Sequence, residues 1–171
     1  MDVQEAILKR RSIREFKSEA LPSNAIDSLL RAAMAAPSAG DQRPWQFIVV
    51  TKREGIDAII EAYPYAKVIK NAPAAIVVCF DRTLEKYKGY WTMDCSAAVE
   101  NMLIAAAGMG LGSLWLSVYP EEKYHNLEIL HEELNIPTTA IPFCIVPVGY
   151  IAKEPEAREK FDSSRIHHEK W

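Results

Sequence analysis

The sequence predicts one compact domain in which helices and strands alternate, and three observations support this fold class. The length of 171 residues suits a single domain with a full hydrophobic core. Apolar residues recur at helical spacing in some segments and form short aromatic or β-branched runs in others. Glycine and proline contents give no indication of a fibrous or disordered chain.

The N-terminal third predicts two helices and a strand. Asp2 and Glu5 have the spacing of a capping box, which predicts a first helix of about two turns. A second helix begins after Leu21 and ends at Ala36, because its apolar residues keep helical spacing. Residues 45–50 are rich in aromatic and β-branched side chains and predict a strand.

The central third predicts a short helix, a buried strand and a long helix. The helix covers residues 53–62 and the strand residues 74–80. Residues 81–91 are charged and aromatic without a period, so we expect a loop that covers something. The long helix begins at Asp94, and small residues on several of its faces are typical of a central helix or of a helix at a subunit interface, of which we favour the interface.

The C-terminal third predicts a third strand over 111–118, an amphipathic helix over 121–134 and a fourth strand over 141–148. Residues 152–171 are too polar for a core yet end in Trp171. A disordered tail is one explanation. A C-terminal arm docked on a partner subunit is the interpretation that the terminal tryptophan favours.

Composition and charge narrow the possible functions. The net charge is -3 with acids and bases interspersed, so nucleic-acid binding and a membrane-surface role have no global electrostatic support. Residues 101–120 are uncharged and long enough to span a membrane by count, but three alternating glycines predict a helix, a turn and a buried strand instead. The N-terminus lacks a secretory signal, so we expect a cytoplasmic protein.

Three cysteines lie far apart in apolar surroundings, at Cys79, Cys95 and Cys144. Their odd number and spacing predict buried thiols in a reducing compartment.

Residues 9–16, called the basic segment below, place four cations within six positions. Guanidinium groups match phosphate oxygens and Ser12 adds a hydroxyl, so a phosphoryl group is the ligand that suits them. Favourable interaction with the end of the first helix is an alternative that accounts for Lys9 and Arg10 but leaves Ser12 and Arg14 unexplained. The segment alone does not decide between the two.

Residues 36–44, called the small-residue loop below, connect the second helix to the first strand. Small residues allow the backbone to approach a flat ligand closely, and Asp41 and Arg43 supply polar groups. An ordinary connecting loop is the alternative.

We find no metal-ligand spacing among the histidines and cysteines and no side-chain nucleophile, so we expect neither a metal site nor a catalytic side chain. A phosphate clamp beside such a loop predicts a bound cofactor that supplies the chemistry.

Residues 10–16, 36–47 and 110–113, followed by Val148-Gly149-Tyr150, resemble motifs of the nitroreductase-like flavoprotein family in matching order over almost the whole chain. The resemblance implies an α+β fold with a mainly antiparallel central sheet flanked by helices. It also implies an intertwined homodimer with FMN at the interface, and a single domain over 1–171 whose arm, residues 152–171, wraps the partner subunit.

The resemblance further implies an FMN-dependent oxidoreductase. Such an enzyme transfers hydride from NAD(P)H to nitroaromatics, quinones or similar electron-poor acceptors by a ping-pong mechanism. The alternatives are a specialised member, namely a reductive dehalogenase or a flavin-fragmenting enzyme, and a flavin-binding module without turnover.

The resemblance implies the following cofactor-binding residues: Arg10, Arg11, Ser12, Arg14, Pro37, Ser38, Ala39, Asp41, Ser117, Val118, Arg158 and Lys160. The first three hold the phosphate and ribityl end, and Arg14 faces the pyrimidine edge of the flavin, where a cation stabilises negative charge. The four residues of the small-residue loop come from the other subunit. Ser117 and Val118 match the backbone near flavin N5, and Arg158 or Lys160 completes the phosphate clamp.

Three positions depart from the family pattern. Asp41 stands where asparagine is frequent, and a carboxylate accepts hydrogen bonds but cannot donate them. We expect its charge to disfavour reduced flavin unless Arg43 or Arg14 neutralises it. Arg43 itself replaces a common glutamine, and Ser117 replaces glutamate or glycine, so redox potential and substrate preference stay open.

Overall fold

The computed structural model describes residues 1–119, 127–156 and 159–171, and within them five strands form one antiparallel sheet. The strands are β1 (Trp45–Val50), β2 (Ala74–Asp81), β3 (Gly112–Ser113), β4 (Leu116–Ser117) and β5 (Ala140–Gly149). Their order is β1-β2-β5-β3, and β4 also pairs with β5. The expected mainly antiparallel sheet is confirmed.

The two central strands are buried on both faces, which explains why their sequences are continuously apolar. Successive side chains of a strand point to opposite faces of the sheet. Accordingly Ile76 and Val78 of β2 lie in the hydrophobic cluster on one face, whereas Ala75 and Val77 lie in the cluster on the other. The sheet is therefore the middle layer of three.

Helices supply the outer layers. The α-helices of the described residues are α1 (Val3–Lys9), α2 (Ser23–Met34), α3 (Arg53–Ala62), α4 (Trp91–Gly108) and α5 (Leu127–Glu133). Helices α2 and α4 pack together over one cluster, while α3, α5 and the 3-10 turn Pro64–Ile69 cover the other. The α+β class implied by the resemblance is confirmed.

Helix α1 lies outside these layers, against α4. It begins as predicted, because the Asp2 carboxylate accepts a hydrogen bond from the Glu5 backbone N–H at 2.8 Å. Its buried residue, Ala6, is the one that faces the end of α4 at Gly108. The start of the chain is thereby fixed on the long helix.

Most predicted boundaries agree with the structure, and one prediction needs correction. The continuous third strand over 111–118 is wrong, because β3 and β4 are two short strands separated by residues 114 and 115. Their register on β5 is unbroken, since Ser113 pairs with Val148 and Leu116 with Ile145. Pro147 lies within that gap and has no backbone N–H to donate, which accounts for the interruption.

The long helix begins at Trp91, three residues before the predicted Asp94. The predicted helix over 121–134 is helical from Leu127 to Glu133, and its first part, together with residue 120, lies outside the described residues. The glycine-interrupted segment forms a helix, a turn at Gly110 with φ of 73° and then β3, as predicted. No helix in the described part of the chain is long and apolar enough to cross a membrane.

Candidate functional site

The basic segment runs from the end of α1 along the edge of the sheet. The Ile13 N–H donates to the Ser113 carbonyl at 2.9 Å, and the Lys17 N–H donates to the Tyr150 carbonyl at 2.9 Å. Ile13 and Phe16 are buried in the hydrophobic cluster below. These two anchors leave the charged side chains between them at the surface.

The anchored segment forms one wall of a cavity of about 390 Å³, called the basic pocket below. Its lining comprises Arg10, Arg11, Ser12, Arg14, Pro155, Glu156 and Lys160. Four cationic side chains and one hydroxyl therefore share a cavity with a single carboxylate. The structure brings together the four predicted residues of the basic segment and one residue of the arm.

The arginines of the basic pocket have different partners. Arg10 Nε lies 3.3 Å from a Glu100 carboxylate oxygen on α4. Arg11 Nη1 donates to the Leu8 carbonyl at 2.6 Å and to the Arg10 carbonyl at 2.9 Å. Arg14 makes one long hydrogen bond, 3.5 Å, to the Ser12 carbonyl.

These contacts change which cation interacts with the end of α1. Arg11 is the residue that covers the carbonyls at the end of α1, whereas that interpretation named Lys9 and Arg10. Lys9 instead pairs with Glu5 one turn earlier, at 2.6 Å. The helix end thus accounts for Arg11 and leaves Arg10 and Arg14 directed to other partners.

The start of the arm is tied to the same segment. The Ala152 N–H donates to the Glu15 carbonyl at 3.0 Å, and Lys153 Nζ lies 3.6 Å from the Glu15 carboxylate. Lys160 then lines the basic pocket. Arg158, the other predicted phosphate ligand of the arm, lies outside the described residues.

The small-residue loop lies at the opposite end of α4. The Ala39 N–H donates to Asp94 Oδ1 at 2.9 Å, and Ser38 Oγ accepts the Arg43 N–H at 3.0 Å. Gly40, Asp41 and Arg43 have left-handed φ values of 51°, 55° and 46°. The backbone is strained at the last two, because non-glycine residues rarely adopt this region.

Arg43 neutralises Asp41, which is one of the two possibilities considered above. Its Nε and Nη2 atoms lie 2.6 and 3.0 Å from the two carboxylate oxygens of Asp41. The hydrogen bond to Asp41 raises the pKa of Arg43. Both side chains are mostly exposed, so the pair fixes the geometry of the loop and contributes little stability.

Three groups of predicted site residues lie apart within one chain. Helix α4 has 18 residues and is about 27 Å long, with the small-residue loop at its first turn and the basic pocket near its far end. Pro37, Ser38, Ala39 and Asp41 do not line the basic pocket. Ser117 is exposed on β4, and Val118 is buried with its N–H donating to the Phe143 carbonyl at 3.0 Å. Their roles toward a cofactor stay predictions.

Sequence reasoning missed two residues that hold the small-residue loop in place, one within the loop and one on α4. Gln42 and Asp94 are 5% and 4% exposed, and Gln42 Nε2 donates to Asp94 Oδ2 at 2.5 Å. One sequence signal was present, because Asp94 is the single acid in the first two turns of an otherwise apolar helix. Its partner in the loop could not be inferred from spacing.

The cysteines are free and buried, as predicted. Burial raises the pKa of Cys79 and of Cys95 to about 12, and burial also raises the pKa of Cys144. A thiolate nucleophile is therefore disfavoured at each position. In the described part of the chain, no group of three or more histidine, cysteine or acidic side chains has an arrangement that could hold a metal ion.

The chain is similar in sequence to known proteins. A family model described as the nitroreductase family matches residues 7–63 and 58–150. A protein of Methanothermobacter thermautotrophicus, provisionally named NADH dehydrogenase/NAD(P)H nitroreductase, is 49% identical over 171 residues, which is 100% of this chain and 88% of the relative.

Solved structures are also similar. An FMN-dependent nitroreductase of Clostridium difficile is 30% identical, with a TM-score of 0.88 over 98% of this chain and 99% of its own. A protein of Desulfovibrio desulfuricans, provisionally named a nitroreductase and solved in complex with FMN, is 26% identical, with a TM-score of 0.86 over 100% of this chain and 98% of its own.

Proposed function

The chain belongs to the nitroreductase family, and on that premise we propose that it is an FMN-dependent oxidoreductase that passes hydride from NAD(P)H to a flat, electron-poor acceptor. Nitroaromatics and quinones are the acceptor classes that this proposal names. The observation that carries it is the basic pocket, in which Arg10, Arg11, Arg14, Lys160 and Ser12 meet. The FMN named for two similar structures supports the choice of cofactor.

The chemistry of the basic pocket fits the phosphate of FMN. The three cations assigned to the phosphate, Arg10, Arg11 and Lys160, outnumber the single carboxylate of the pocket, which suits a phosphate dianion. Arg10 is held through Nε, and within the described residues its Nη atoms make no hydrogen bond. Arg14 is exposed and held by one long bond. Both guanidinium groups therefore retain donors for a ligand.

When bound, FMN supplies the hydride chemistry at its N5 atom. The chain contributes binding, orientation and charge. Arg10, Arg11, Ser12 and Lys160 would hold the phosphate end, and Arg14 would supply a cation toward the pyrimidine edge. No side-chain nucleophile is required, which agrees with the buried, protonated thiols.

A homodimer completes this proposal. The small-residue loop and the basic pocket lie near opposite ends of α4, so one subunit supplies the pocket and its partner supplies Pro37, Ser38, Ala39 and Asp41. The exposed apolar side chains of α1, among them Val3 and Leu8, and the exposed Trp171 of the arm support burial against a second subunit. The free thiols support a reducing, cytoplasmic location.

The direct test is the cofactor content of the purified protein and its dependence on Arg10. We expect FMN to copurify in preference to riboflavin. Arg10→Ala should weaken FMN binding by about 1.5 to 3 kcal/mol, the range for a hydrogen bond to a charged group. Arg31→Ala, which removes an exposed arginine of α2, is the matched control and should bind FMN like the parent. Equal FMN affinity of parent and Arg10→Ala contradicts the assignment.

Turnover separates an enzyme from a flavin-binding module. In this proposal one face of the bound ring would serve nicotinamide and acceptor in turn, so we expect ping-pong kinetics with parallel double-reciprocal lines. Convergent lines contradict sequential use of one site. Failure of both NADH and NADPH to bleach the bound flavin favours the module without turnover.

A further inference from the structure

Two buried polar side chains connect three segments that are distant in sequence. Among the described residues, the buried polar or charged side chains are Gln42, Asp94 and Ser113. Gln42 and Asp94 bond directly to each other at 2.5 Å. We call this pair the latch.

Each partner of the latch also binds backbone. Gln42 Oε1 accepts the N–H groups of Lys86 and Tyr87 at 2.9 and 3.0 Å. Asp94 Oδ1 accepts the N–H of Ala39 at 2.9 Å. The latch thus holds the small-residue loop, the start of α4 and residues 85–90, called the aromatic loop below.

This arrangement removes two polar side chains from water, and removing the carboxylate of Asp94 from water has a free-energy cost. Within the described residues Asp94 has no cationic partner, so its burial depends on the hydrogen bonds from Gln42 and Ala39 and on its position in the first turn of α4. The latch fixes the relative position of two irregular loops, because backbone N–H groups of both loops donate hydrogen bonds to this one pair of side chains. The strained Asp41 and Arg43 lie in the loop that is held.

The aromatic loop rests directly on the small-residue loop. A Cβ on Gly40 would lie 2.0 Å from Cε2 of Tyr87, so the tyrosine ring covers the glycine backbone. Tyr87 and Tyr90 are nevertheless about half exposed, at 51% and 50%. The Tyr87 ring is therefore partly exposed and lies against the loop proposed to meet the flavin, and Tyr90 is exposed three residues farther along the aromatic loop.

We propose that Gln42 and Asp94 are positioning residues that dock the aromatic loop on the small-residue loop, so that Tyr87 and Tyr90 form the wall that selects acceptors by size. This inference rests on the proposed function, because the acceptor space is defined by the flavin. Neither residue contacts the acceptor. They act through the backbone of Ala39, Lys86 and Tyr87.

A reciprocal exchange tests the latch itself. Gln42→Glu sets two carboxylates against each other, and Asp94→Asn sets two amide donors against each other. The double variant restores all four bonds, because the new asparagine donates to the new glutamate and accepts from Ala39, while that glutamate still accepts from the aromatic loop. We expect each single variant to lower Tm by about 5 to 10 °C and the double variant to return to within about 2 °C of the parent.

Hydrogen exchange provides a readout that does not require flavin. In Gln42→Leu the amides of Lys86 and Tyr87 lose their acceptor, so we expect them to exchange at least about tenfold faster. Amides in the middle of α4 and β2 serve as the internal control and should not change. Unchanged protection of Lys86 and Tyr87 overturns the latch.

Acceptor discrimination is the readout that a purely structural role would not alter. We expect kcat/KM for a two-ring naphthoquinone, relative to a one-ring benzoquinone, to rise at least about fivefold in Gln42→Leu and in Tyr87→Ala. The exchanged double variant should keep the parental ratio. Val49→Ala shortens an exposed apolar side chain farther along β1, and it should also keep that ratio.

The experiments test the role in acceptor selection and the existence of the latch separately. A parental ratio in both Gln42→Leu and Tyr87→Ala overturns the role in selection, even where Tm falls. Tyr87→Ala changes an exposed side chain, so the test does not depend on a variant that fails to fold. A parent protein without FMN or turnover refutes the proposed function together with the role in selection, whereas hydrogen exchange and the Tm cycle still decide whether the latch exists.

Discussion

Substitution of the exposed residue Arg14 tests the proposed mechanism at a single position. Arg14→Met removes the charge and keeps much of the side-chain length. Its one hydrogen bond is long, so we expect a change in the free energy of unfolding within about 0.5 kcal/mol. In contrast, the potential of the bound FMN should fall and its reduction by NAD(P)H, followed by stopped flow, should slow.

Two comparisons sharpen that prediction. Arg14→Lys keeps a cation and should retain more of the parental potential. Lys17→Met removes a neighbouring exposed cation outside the basic pocket and should leave potential and rate unchanged. A parental potential and reduction rate in Arg14→Met show that Arg14 is only a surface charge.

The buried thiols predict how stability depends on pH. Burial raises the pKa of Cys79 and Cys95 from 9.0 to about 12, so folding favours the protonated thiols. Their contribution is complete below about pH 9 and is lost as the pH rises toward 12, because the unfolded chain releases those protons first. Urea unfolding between pH 7 and 11 should show this decline, and Cys79→Ala should have a shallower one. Equal slopes contradict the prediction.

Residue spacing predicted the basic segment but not the latch, and the difference is physical. The cations of the basic segment lie within six positions, so their proximity follows from the covalent chain. Gln42 and Asp94 are 52 positions apart. Their contact depends on how the small-residue loop folds back onto α4, which spacing does not encode.

Substitution of two glycines near the end of α4 tests how closely the basic segment and α1 must approach the residues they pack against. A Cβ on Gly112 would lie 2.9 to 3.0 Å from three side-chain atoms of the buried Ile13. A Cβ on Gly108 would meet only Ala6, at 3.7 Å. We therefore expect Gly112→Ala to lower the free energy of unfolding by about 1 to 3 kcal/mol through overpacking.

Gly108→Ala is the matched control for that substitution. Alanine is favoured over glycine within a helix, so it should be neutral or stabilising by up to about 1 kcal/mol. Urea denaturation measures both variants. Gly112→Ala should also weaken FMN retention, since Ile13 anchors the basic segment. Equal stability of the two variants shows that the segment tolerates displacement from the sheet.

Apolar runs located the strands, but hydrogen bonding divided one of them. The side-chain pattern of residues 111–118 predicts one strand, because that pattern reflects only which side chains are buried. The ladder also depends on the opposite strand, where Pro147 cannot donate. Side-chain periodicity within one segment carries no information about its partner's missing N–H.

The whole molecule is expected to function as a dimer, and removing the arm tests this. A chain that ends after Ile151 keeps the hydrogen bond from the Lys17 N–H to the Tyr150 carbonyl and loses residues 152–171, including the Ala152 N–H that donates to the Glu15 carbonyl. We expect weaker dimerisation on sedimentation at decreasing concentration, and loss of FMN during gel filtration. A truncated protein that stays dimeric and yellow shows that the arm is dispensable.

A milder variant separates the arm's tip from its phosphate contact. Trp171 is fully exposed in the single chain, with its ring stacked on His167. Trp171→Ala should weaken the dimer while leaving Lys160 in place. The proposed meeting of the small-residue loop with the basic pocket of a second copy came from the family resemblance alone, because residue spacing within one chain carries no information about contacts between subunits.

The pairing of the basic segment with β3 and with Ile151 has a consequence for synthesis. Phe16 pairs with Ile151. The basic segment therefore leaves the ribosome early, but its pairing partner is synthesised only after almost the entire chain. Contacts that are so distant in sequence close large loops and form late. A nascent chain arrested before residue 150 should consequently be unable to capture FMN, which makes cofactor loading a nearly post-translational event.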